Sequence, residues 1–476
     1  MTATLSGRPV SERLARWAVD VSSEHTPAAR TAAKHAVMDV VGCMIAGAGD
    51  NGAAAVRAAV EKLGEAGGEA VVCGRLAKAS PTLAALANGM AAHSLDFDDT
   101  FLEAISHASA SLVPALFALG DEIDASGDAI VDAYIVGLEL HGALGLALNR
   151  AHYEAGWHAT VTLGVIGTAG ACARLLQLDE TRFAHALNLA VSYAAGTKVQ
   201  FGSQAKPLHA GLAAKHAIEA ARLAEAGVEG RINAFEGPMG LLELYGGDAA
   251  PGWEAGLAQL GNPLAIERQG LTVKRFPCCA ATHRAVDALL MLMDEHGFQA
   301  ADVEKIDIRV RRGHVQNLRY LDPKTEFEAR FSMQYCISVA LTSGTISLSD
   351  FTPNAVLRDD VRAYYPMIDM RAHGDAYDEG DEKDPIPSIV TVTLKDGSVY
   401  RGEQATPKGD AANPLNETER LAKFEDCCKS FLPDADRAQL ARDIEALETL
   451  ASVRECTRRL RFEAGADAGE RFERRA

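Results

Sequence analysis

Carboxylates and imidazoles are concentrated in one short stretch of this chain. Asp96, Asp98 and Asp99 lie beside one another in the run HSLDFDDT, between His93 and His107. Carboxylates this close repel one another, so they need hydrogen-bond donors or shifted pKa values. Three interpretations stay open at this point: a divalent metal site, an acid/base constellation, or Asp and Thr side chains that cap a helix at a turn.

Two further stretches place a basic side chain just before an apolar helical segment. His158 lies in the run GWHAT, and Lys206 precedes Pro207 in the run KPLHAG. Proline suits the first turn of a helix, and the free amides there attract anions, so the Lys206 ammonium could hold a carboxylate. The helix dipole disfavours protonation of a histidine in this place. A structural histidine and a solvated lysine are the alternative interpretations.

The second half of the chain carries further basic residues, and a tyrosine, that could bind an anionic substrate. Lys274, Arg275 and His283 lie in the run KRFPCCAATH, immediately before another apolar helical segment, and Tyr320 opens the run YLDPKTEFEAR. The tyrosine hydroxyl could donate a hydrogen bond to a substrate, although core packing explains a single tyrosine equally well.

The elements that must position these residues change in character near residue 270. Before it the chain is rich in Ala, Leu and Gly, which favours helices. After it, residues 304–311 alternate as a strand does, and residues 388–404 are typical of a hairpin with a Lys-Asp-Gly turn. Helices are expected at 28–48, 81–92, 111–121, 129–149, 160–176, 208–226, 282–295, 328–341, 417–428 and 434–453.

These patterns predict a mainly α protein, with a large discontinuous all-helical domain plus a smaller α+β lid domain. The predicted bounds are 1–269 for the helical domain and 270–405 for the lid. Residues 406–476 are expected to form C-terminal helices that pack back on the helical domain, with a loose tail from about residue 464.

Composition argues against several kinds of partner. The 476 residues carry a formal net charge of -18, and an acidic surface repels nucleic acid phosphates and anionic lipid head groups. We therefore expect neither a nucleic acid nor a membrane partner. The 9 cysteines follow no zinc-site spacing, which favours free thiols in a reducing compartment. Because the N-terminus is polar and lacks the apolar core of a signal peptide, we predict a cytoplasmic location.

Taken in order along the chain, these blocks resemble the MmgE/PrpD family, which includes 2-methylcitrate dehydratases, cis-aconitate decarboxylases and iminodisuccinate epimerases. The resemblance extends over roughly residues 10 to 455, through the blocks H.LDFDDT, G.H.T, KPLHAG and K.FPCC…H..VDA. One departure is Ala108 after His107, where the commoner family wording is HPS. The resemblance implies a helical domain with an α+β lid, a homodimer, and neither a metal nor a cofactor.

The resemblance also implies a set of site residues. Catalytic roles fall on Asp96, His107, His158, Lys206, His283 and Tyr320. Substrate binding falls on Thr100, Lys206 and His283, to which the neighbouring cations Lys274 and Arg275 are added.

The expected function is that of a cofactor-independent lyase that acts on a small polycarboxylic acid, by cis-aconitate-type decarboxylation or 2-methylcitrate-type dehydration. Both reactions develop negative charge on a carbon beside a carboxylate, where fixed donors lower the barrier. Lys206 and His283 are expected to hold carboxylates, and Asp96 to orient one of the histidines that move protons. The alternatives are an epimerase of an iminodisuccinate-like dicarboxylate and a non-catalytic polycarboxylate binder.

Overall fold

A computed structural model describes residues 7–64, 67–148, 150–374 and 386–464. By their packing, the described residues of 7–272 and 423–464 form one unit and those of 273–422 form a second. The sequence predicts the divisions at 269 and 405, which would assign residues 406–422 to the helical domain. In the structure these residues belong to the second unit instead. They join the second unit because the Lys408 amide donates to Asp287 Oδ2 at 2.7 Å. The predicted loose tail lies beyond residue 464, outside the described residues.

The first unit consists almost entirely of helices. Its long helices are α1 (Val10–Asp20), α2 (Pro27–Gly47), α3 (Asn51–Leu63), α4 (Pro81–His93), α5 (Ser109–Ile123), α6 (Gly127–Leu148), α9 (Gly164–Leu175), α10 (Glu180–Val191), α11 (Ala205–Glu225) and α22 (Asp434–Glu445). Its short helices are α7 (Ala151–Glu154), α8 (Ala159–Thr162), α12 (Leu241–Tyr245), α13 (Trp253–Leu257), α14 (Ala265–Arg268) and α23 (Arg454–Thr457). Strands β1 (Ala70–Val71) and β2 (Lys78–Ala79) form a small antiparallel pair.

Local sequence signals explain where α2 begins and why it is buried. The Thr26 hydroxyl accepts a hydrogen bond from the Ala29 amide at 3.1 Å, and Pro27 opens the first turn. From Ala36 to Gly47 every residue of α2 is buried, as expected for a helix inside a bundle, whereas its first turns are partly exposed. The helix α6 is long and apolar enough to cross a membrane by length and composition, but nearly all of it is buried inside the protein, and core helices pass the same test.

Two glycines let α4 and α11 touch through their backbones. A Cβ atom added at Gly89 would lie 2.6 Å from the Gly211 Cα, and one added at Gly211 would lie 2.2 Å from the Leu86 carbonyl oxygen. Only residues without side chains permit this approach. The contact matters for the site because α4 ends at His93 and α11 carries Lys206 in its first turn.

The second unit is a four-stranded sheet covered by helices. Its strands are β3 (Val303–Val310), β4 (Ile368–Ala372), β5 (Ser388–Leu394) and β6 (Val399–Gln404), in the order β4-β3-β5-β6. The β3–β4 pair is parallel, and the β3–β5 and β5–β6 pairs are antiparallel. Its helices are α15 (Ala280–His296), α16 (Arg312–Asn317), α17 (Glu326–Arg330), α18 (Met333–Ser343), α19 (Pro353–Val356) and α20 (Asp359–Arg362), and α21 (Glu417–Cys428) crosses from this unit into the first.

The mainly α fold with a smaller α+β part is confirmed. The predicted strand at 304–311 and the hairpin at 388–404 are both present, and Gly397 takes a φ of +89° in the hairpin turn. Strand β4 was not predicted, because only Ile368 of its five residues is buried and no alternation of apolar and polar residues indicates a strand. The helix expected at 434–453 ends at Glu445 instead.

Candidate active site

The site is built on the connection between α4 and α5. Helix α4 ends at His93, and the chain then turns through residues 94–108. Asp96 takes a left-handed φ of 52° in this turn, which aspartate tolerates better than most residues. As a result, two neighbouring carboxylates have different surroundings: the Asp98 side chain is 0% exposed, whereas that of Asp96 is 36% exposed.

Asp98 lies between two imidazoles. His93 Nδ1 is 2.9 Å from Asp98 Oδ1, and His107 Nδ1 is 3.1 Å from Asp98 Oδ2. Burial is the largest influence and acts to raise the pKa of Asp98, but the two imidazoles together hold it well below its ordinary value. Burial lowers the pKa of His93 to about 4. An ionised Asp98 therefore faces the Nδ1 atoms of both rings, which leaves Nε2 of His107 as the atom that can exchange a proton.

The Lys206 ammonium forms the open side of the same cluster. Its Nζ lies 2.5 Å from Asp96 Oδ1, and His107 Nε2 lies 3.7 Å from the same oxygen. Lys206 Nζ is also 5.5 Å from the centre of the Phe201 ring. Only one of the three ammonium donors is needed for Asp96, so the others suit a second anion.

His158 pairs with a second histidine rather than with a carboxylate. His158 Nδ1 and His209 Nδ1 are 2.8 Å apart, so one of the two atoms carries the proton of this hydrogen bond. Burial is the main cause that lowers the pKa of His158 far below its ordinary value, and the neighbouring imidazoles and Lys206 act in the same direction. Burial and Lys206 also lower the pKa of His209. Both rings are therefore neutral in the free protein.

The loops around His158 hold it in place. Its backbone amide donates to the Gly196 carbonyl at 3.1 Å, and it lies at the start of the short helix α8. The Phe201 ring meets the His158 ring edge-on, with centroids 4.9 Å apart. From the same region, Thr160 Oγ1 accepts a hydrogen bond from the His107 amide at 3.1 Å.

Four of these groups have the chemistry to hold a metal ion. One ligand atom each from His93, Asp96, Asp98 and His107 lie within 4.8 Å of one another. However, the Lys206 ammonium already neutralises Asp96. A divalent cation bound through Asp96 would lie close to that ammonium and be repelled by it. The arrangement therefore fits an acid/base site with a built-in cation better than a metal centre.

Four of the predicted site residues are thus brought together: Asp96, His107, His158 and Lys206. Thr100 lies in the same turn, where its backbone pairs with Thr272 through hydrogen bonds of 2.8 and 2.9 Å. The role expected for Asp96, orienting a histidine, fits Asp98 better by distance, because Asp96 is closer to Lys206 than to His107.

The other predicted residues lie in the second unit. Arg275 Nη1 is 3.0 Å from Asp287 Oδ1, and the Lys274 side chain beside it is buried. Burial raises the pKa of Asp287, although the Lys408 amide and Arg275 act against this shift. Arg275, whose side chain is 33% exposed, is therefore engaged by a carboxylate of its own unit.

His283 and Tyr320 are held differently. His283 Nε2 is 3.3 Å from the Cys278 carbonyl, to which it donates, and this bond leaves Nδ1 for another partner. The Phe276 ring meets His283 edge-on at 5.5 Å. The Tyr320 hydroxyl accepts a hydrogen bond from Arg319 Nη2 at 3.2 Å. The roles of His283, Tyr320 and Lys274 as substrate ligands stay predictions.

Comparison with known families covers both units. The model of the MmgE/PrpD N-terminal domain matches residues 12–254, and that of the MmgE/PrpD C-terminal domain matches residues 276–448. The chain belongs to the MmgE/PrpD family. The resemblance inferred from the sequence blocks is thereby confirmed.

Among MmgE/PrpD relatives, the chain is similar to two mammalian enzymes. The cis-aconitate decarboxylase of Mus musculus is 30% identical over 393 residues, which cover 80% of this chain and 78% of the relative. That of Homo sapiens is 30% identical over 389 residues, covering 78% and 77%. The cis-aconitate decarboxylase-like protein oryM of Aspergillus oryzae is 24% identical over 472 residues, covering 94% and 96%.

Three residues of this MmgE/PrpD site received no role from the sequence, although Asp98 and His93 were part of the candidate cluster of carboxylates and imidazoles. Asp98 and His93 belong to the HSLDFDDT block, and His209 belongs to KPLHAG, so the blocks themselves were the available signal. The sequence does not predict the turn at Asp96. In this turn the Asp98 carboxylate is buried, whereas the Asp96 carboxylate is partly exposed.

Proposed function

We propose that this chain is a lyase that decarboxylates cis-aconitate or a closely related small polycarboxylic acid, by acid/base chemistry and without a cofactor. The observation that carries the proposal is the Lys206 ammonium beside an imidazole, His107, that lies against a buried carboxylate. The names of the mammalian and fungal relatives support this choice among the reactions of the family.

The chemistry requires a grip on carboxylates and a proton. In cis-aconitate, the CH2–COO⁻ arm is bonded to an alkene carbon. When the bond between this CH2 carbon and its carboxylate breaks, CO2 leaves. The electron pair then spreads over an allylic system whose far carbon carries a second carboxylate. A proton delivered to that far carbon gives 2-methylenesuccinate. Preorganised cations at the carboxylates that receive charge are the most effective way to lower this barrier.

Lys206 suits the first task. Its ammonium is held at 2.5 Å by Asp96 and keeps donors for a substrate carboxylate. Because Asp96 is partly exposed, an incoming anion can share the ammonium without burying an unpaired charge.

His107 and His158 suit the second task. Asp98 lies against Nδ1 of His107, so Nε2 can give and regain a proton. His158 is neutral in the free protein because burial and nearby positive groups lower its pKa. A bound polyanion would act in the opposite direction and favour the protonated ring, so substrate binding itself would load the proton donor.

The test is NMR of the purified, chelator-treated protein in D2O with cis-aconitate, 2-methylcitrate and iminodisuccinate in separate tubes. The proposal expects CO2 release from cis-aconitate only, new =CH2 signals, and one deuterium in the saturated CH2 group of the product. Dehydration of 2-methylcitrate or deuterium exchange into iminodisuccinate would assign another branch of the family. Saturable binding without turnover would favour the binder, and turnover by untreated protein that the chelator abolishes would favour a metal enzyme.

A further inference from the structure

A buried ion pair lies directly behind the candidate active site. Lys423, on α21, places its Nζ 2.5 Å from Asp39 Oδ1 on α2, and the two side chains are only 5% and 3% exposed. Burial disfavours the ammonium, but Asp39 beside it raises the pKa of Lys423 above its ordinary value. The two side chains form a close ion pair, called the anchor pair below, in the core of the first unit.

The anchor pair holds the backbone of the turn that carries the site. Lys423 Nζ donates to the Phe97 carbonyl at 2.8 Å and lies 4.0 Å from the centre of the Phe97 ring. On the other side, the Asp99 amide lies close enough to lower the pKa of Asp39, although burial, the larger influence, raises it. The anchor pair thus acts on the two residues that flank Asp98.

Stability alone does not explain this arrangement. Removing two charges from water costs about as much as their attraction returns, and apolar residues of similar volume often replace such pairs without loss. An apolar pair, however, cannot donate to the Phe97 carbonyl. What the anchor pair adds is a fixed position for the peptide units on both sides of Asp98, and therefore for the carboxylate that faces His93 and His107.

We propose that Lys423 and Asp39 are positioning residues, which hold the Asp98 carboxylate against His93 and His107 from outside the site. The inference rests on the proposed function as far as turnover is concerned. Its structural part, the placement of Asp98, is independent of which substrate is used.

The experiment replaces the pair without leaving a buried charge. The double variant Asp39→Leu/Lys423→Met keeps an apolar core and should fold, whereas Lys423→Met alone strands Asp39. In the double variant we expect kcat for cis-aconitate to fall about 100-fold, because small displacements of catalytic groups are this costly. KM should change less than about 3-fold, because Lys206 is untouched.

A second readout does not depend on activity. Long-range 1H–15N spectra of the histidine rings report which ring nitrogen carries the proton. Wild-type protein should show His93 and His107 protonated on Nδ1, and the double variant should show mixed tautomers for both rings.

The matched control is Lys34→Met. Lys34 also joins α2 to the C-terminal part of the chain, through Glu448 Oε1 at 2.7 Å and the Glu445 carbonyl at 2.8 Å, but it does not touch the turn. It should lower stability while leaving kcat and the histidine spectra unchanged. A folded double variant with wild-type tautomers overturns the proposal, whatever the activity. If wild-type protein turns over none of the acids, the function fails but the spectra still decide the anchor pair.

Discussion

At the site, the Lys206 ammonium lies 2.5 Å from one oxygen of Asp96, so a carboxylate substrate meets a cation that already has a counterion. Replacing Lys206 by alanine leaves Asp96 to repel that substrate. We expect kcat/KM for cis-aconitate to fall at least about 100-fold, with near-native circular dichroism. Lys215→Ala on the same helix is the control, since Lys215 pairs with the partly exposed Glu219 at 3.4 Å. Near-normal activity of Lys206→Ala would remove Lys206 from the mechanism.

The neighbouring carboxylates Asp98 and Asp99 provide a matched pair for the next prediction. The two imidazoles favour the ionised form of Asp98, whereas burial raises the pKa of Asp99 well above its ordinary value and so favours its protonated form. Asparagine resembles a protonated carboxyl group. Asp98→Asn should therefore lower kcat by about 100-fold or more, because its NH2 group forces one imidazole into the other tautomer. Asp99→Asn should change kcat less than about 3-fold. Equal losses in steady-state assays would contradict the assignment of charge.

The block HSLDFDDT contains both features that the sequence predicts and features that it does not. Residue types alone indicated a site of carboxylates and imidazoles at HSLDFDDT, and the order of the blocks indicated the family. The different roles of Asp96 and Asp98 could not be predicted, because they depend on one left-handed residue, Asp96, and on the complete burial of the Asp98 side chain. His209 was missed for a similar reason: its partner, His158, lies on a different loop.

At the scale of elements, the positions of helices rich in Ala and Leu were predicted correctly, whereas their first and last residues were predicted less accurately. The segment 81–92 is helix Pro81–His93, and 208–226 is helix Ala205–Glu225. The edge strand Ile368–Ala372 was not predicted. It pairs with Val303–Val310, but its own residues do not alternate between buried and exposed positions. Periodicity detects burial on one face, and this strand has almost none.

The crossing of α4 and α11 gives a prediction at this scale. Alanine favours helices over glycine by about 1 kcal/mol, but a Cβ at Gly211 would lie 2.2 Å from the Leu86 carbonyl oxygen. We therefore expect Gly211→Ala to destabilise the protein by about 1–3 kcal/mol and to lower activity, since the two helices carry His93 and Lys206. In urea unfolding, the control Gly164→Ala should be neutral or stabilising, because its nearest contact would be 3.6 Å. A stable, active Gly211→Ala would show that the helices can separate freely.

The whole molecule combines an acidic exterior with histidines buried in its core. The formal net charge is -18, yet His93, His141 and His152 are buried, and burial is the largest influence that lowers the pKa of each to about 4. Such residues fold in the neutral form and take up protons readily only on unfolding. The predicted homodimer and cytoplasmic location stay predictions at this scale, whereas the pH dependence of stability follows from these groups.

His141 isolates the effect, because burial is the main cause of its shift and a hydrogen bond with the Gly164 backbone only partly opposes it. In the unfolded chain the pKa of His141 is about 6.5, so below that pH the unfolded chain binds more protons than the folded chain. The contribution of neutral His141 to the free energy of unfolding is therefore fully present above pH 6.5 and is lost as the pH falls towards 4. The loss should approach roughly 3 kcal/mol at the acid end.

His141→Gln removes this proton uptake. Its free energy of unfolding should lie below that of wild type at pH 7, and the gap should shrink or reverse by pH 4.5, as measured by urea unfolding at both pH values. Leu144→Ala, a buried truncation on the same helix, should show the same deficit at both. A constant gap for His141→Gln would mean that His141 is already protonated in the fold, and that burial in this helical core does not keep its histidines neutral.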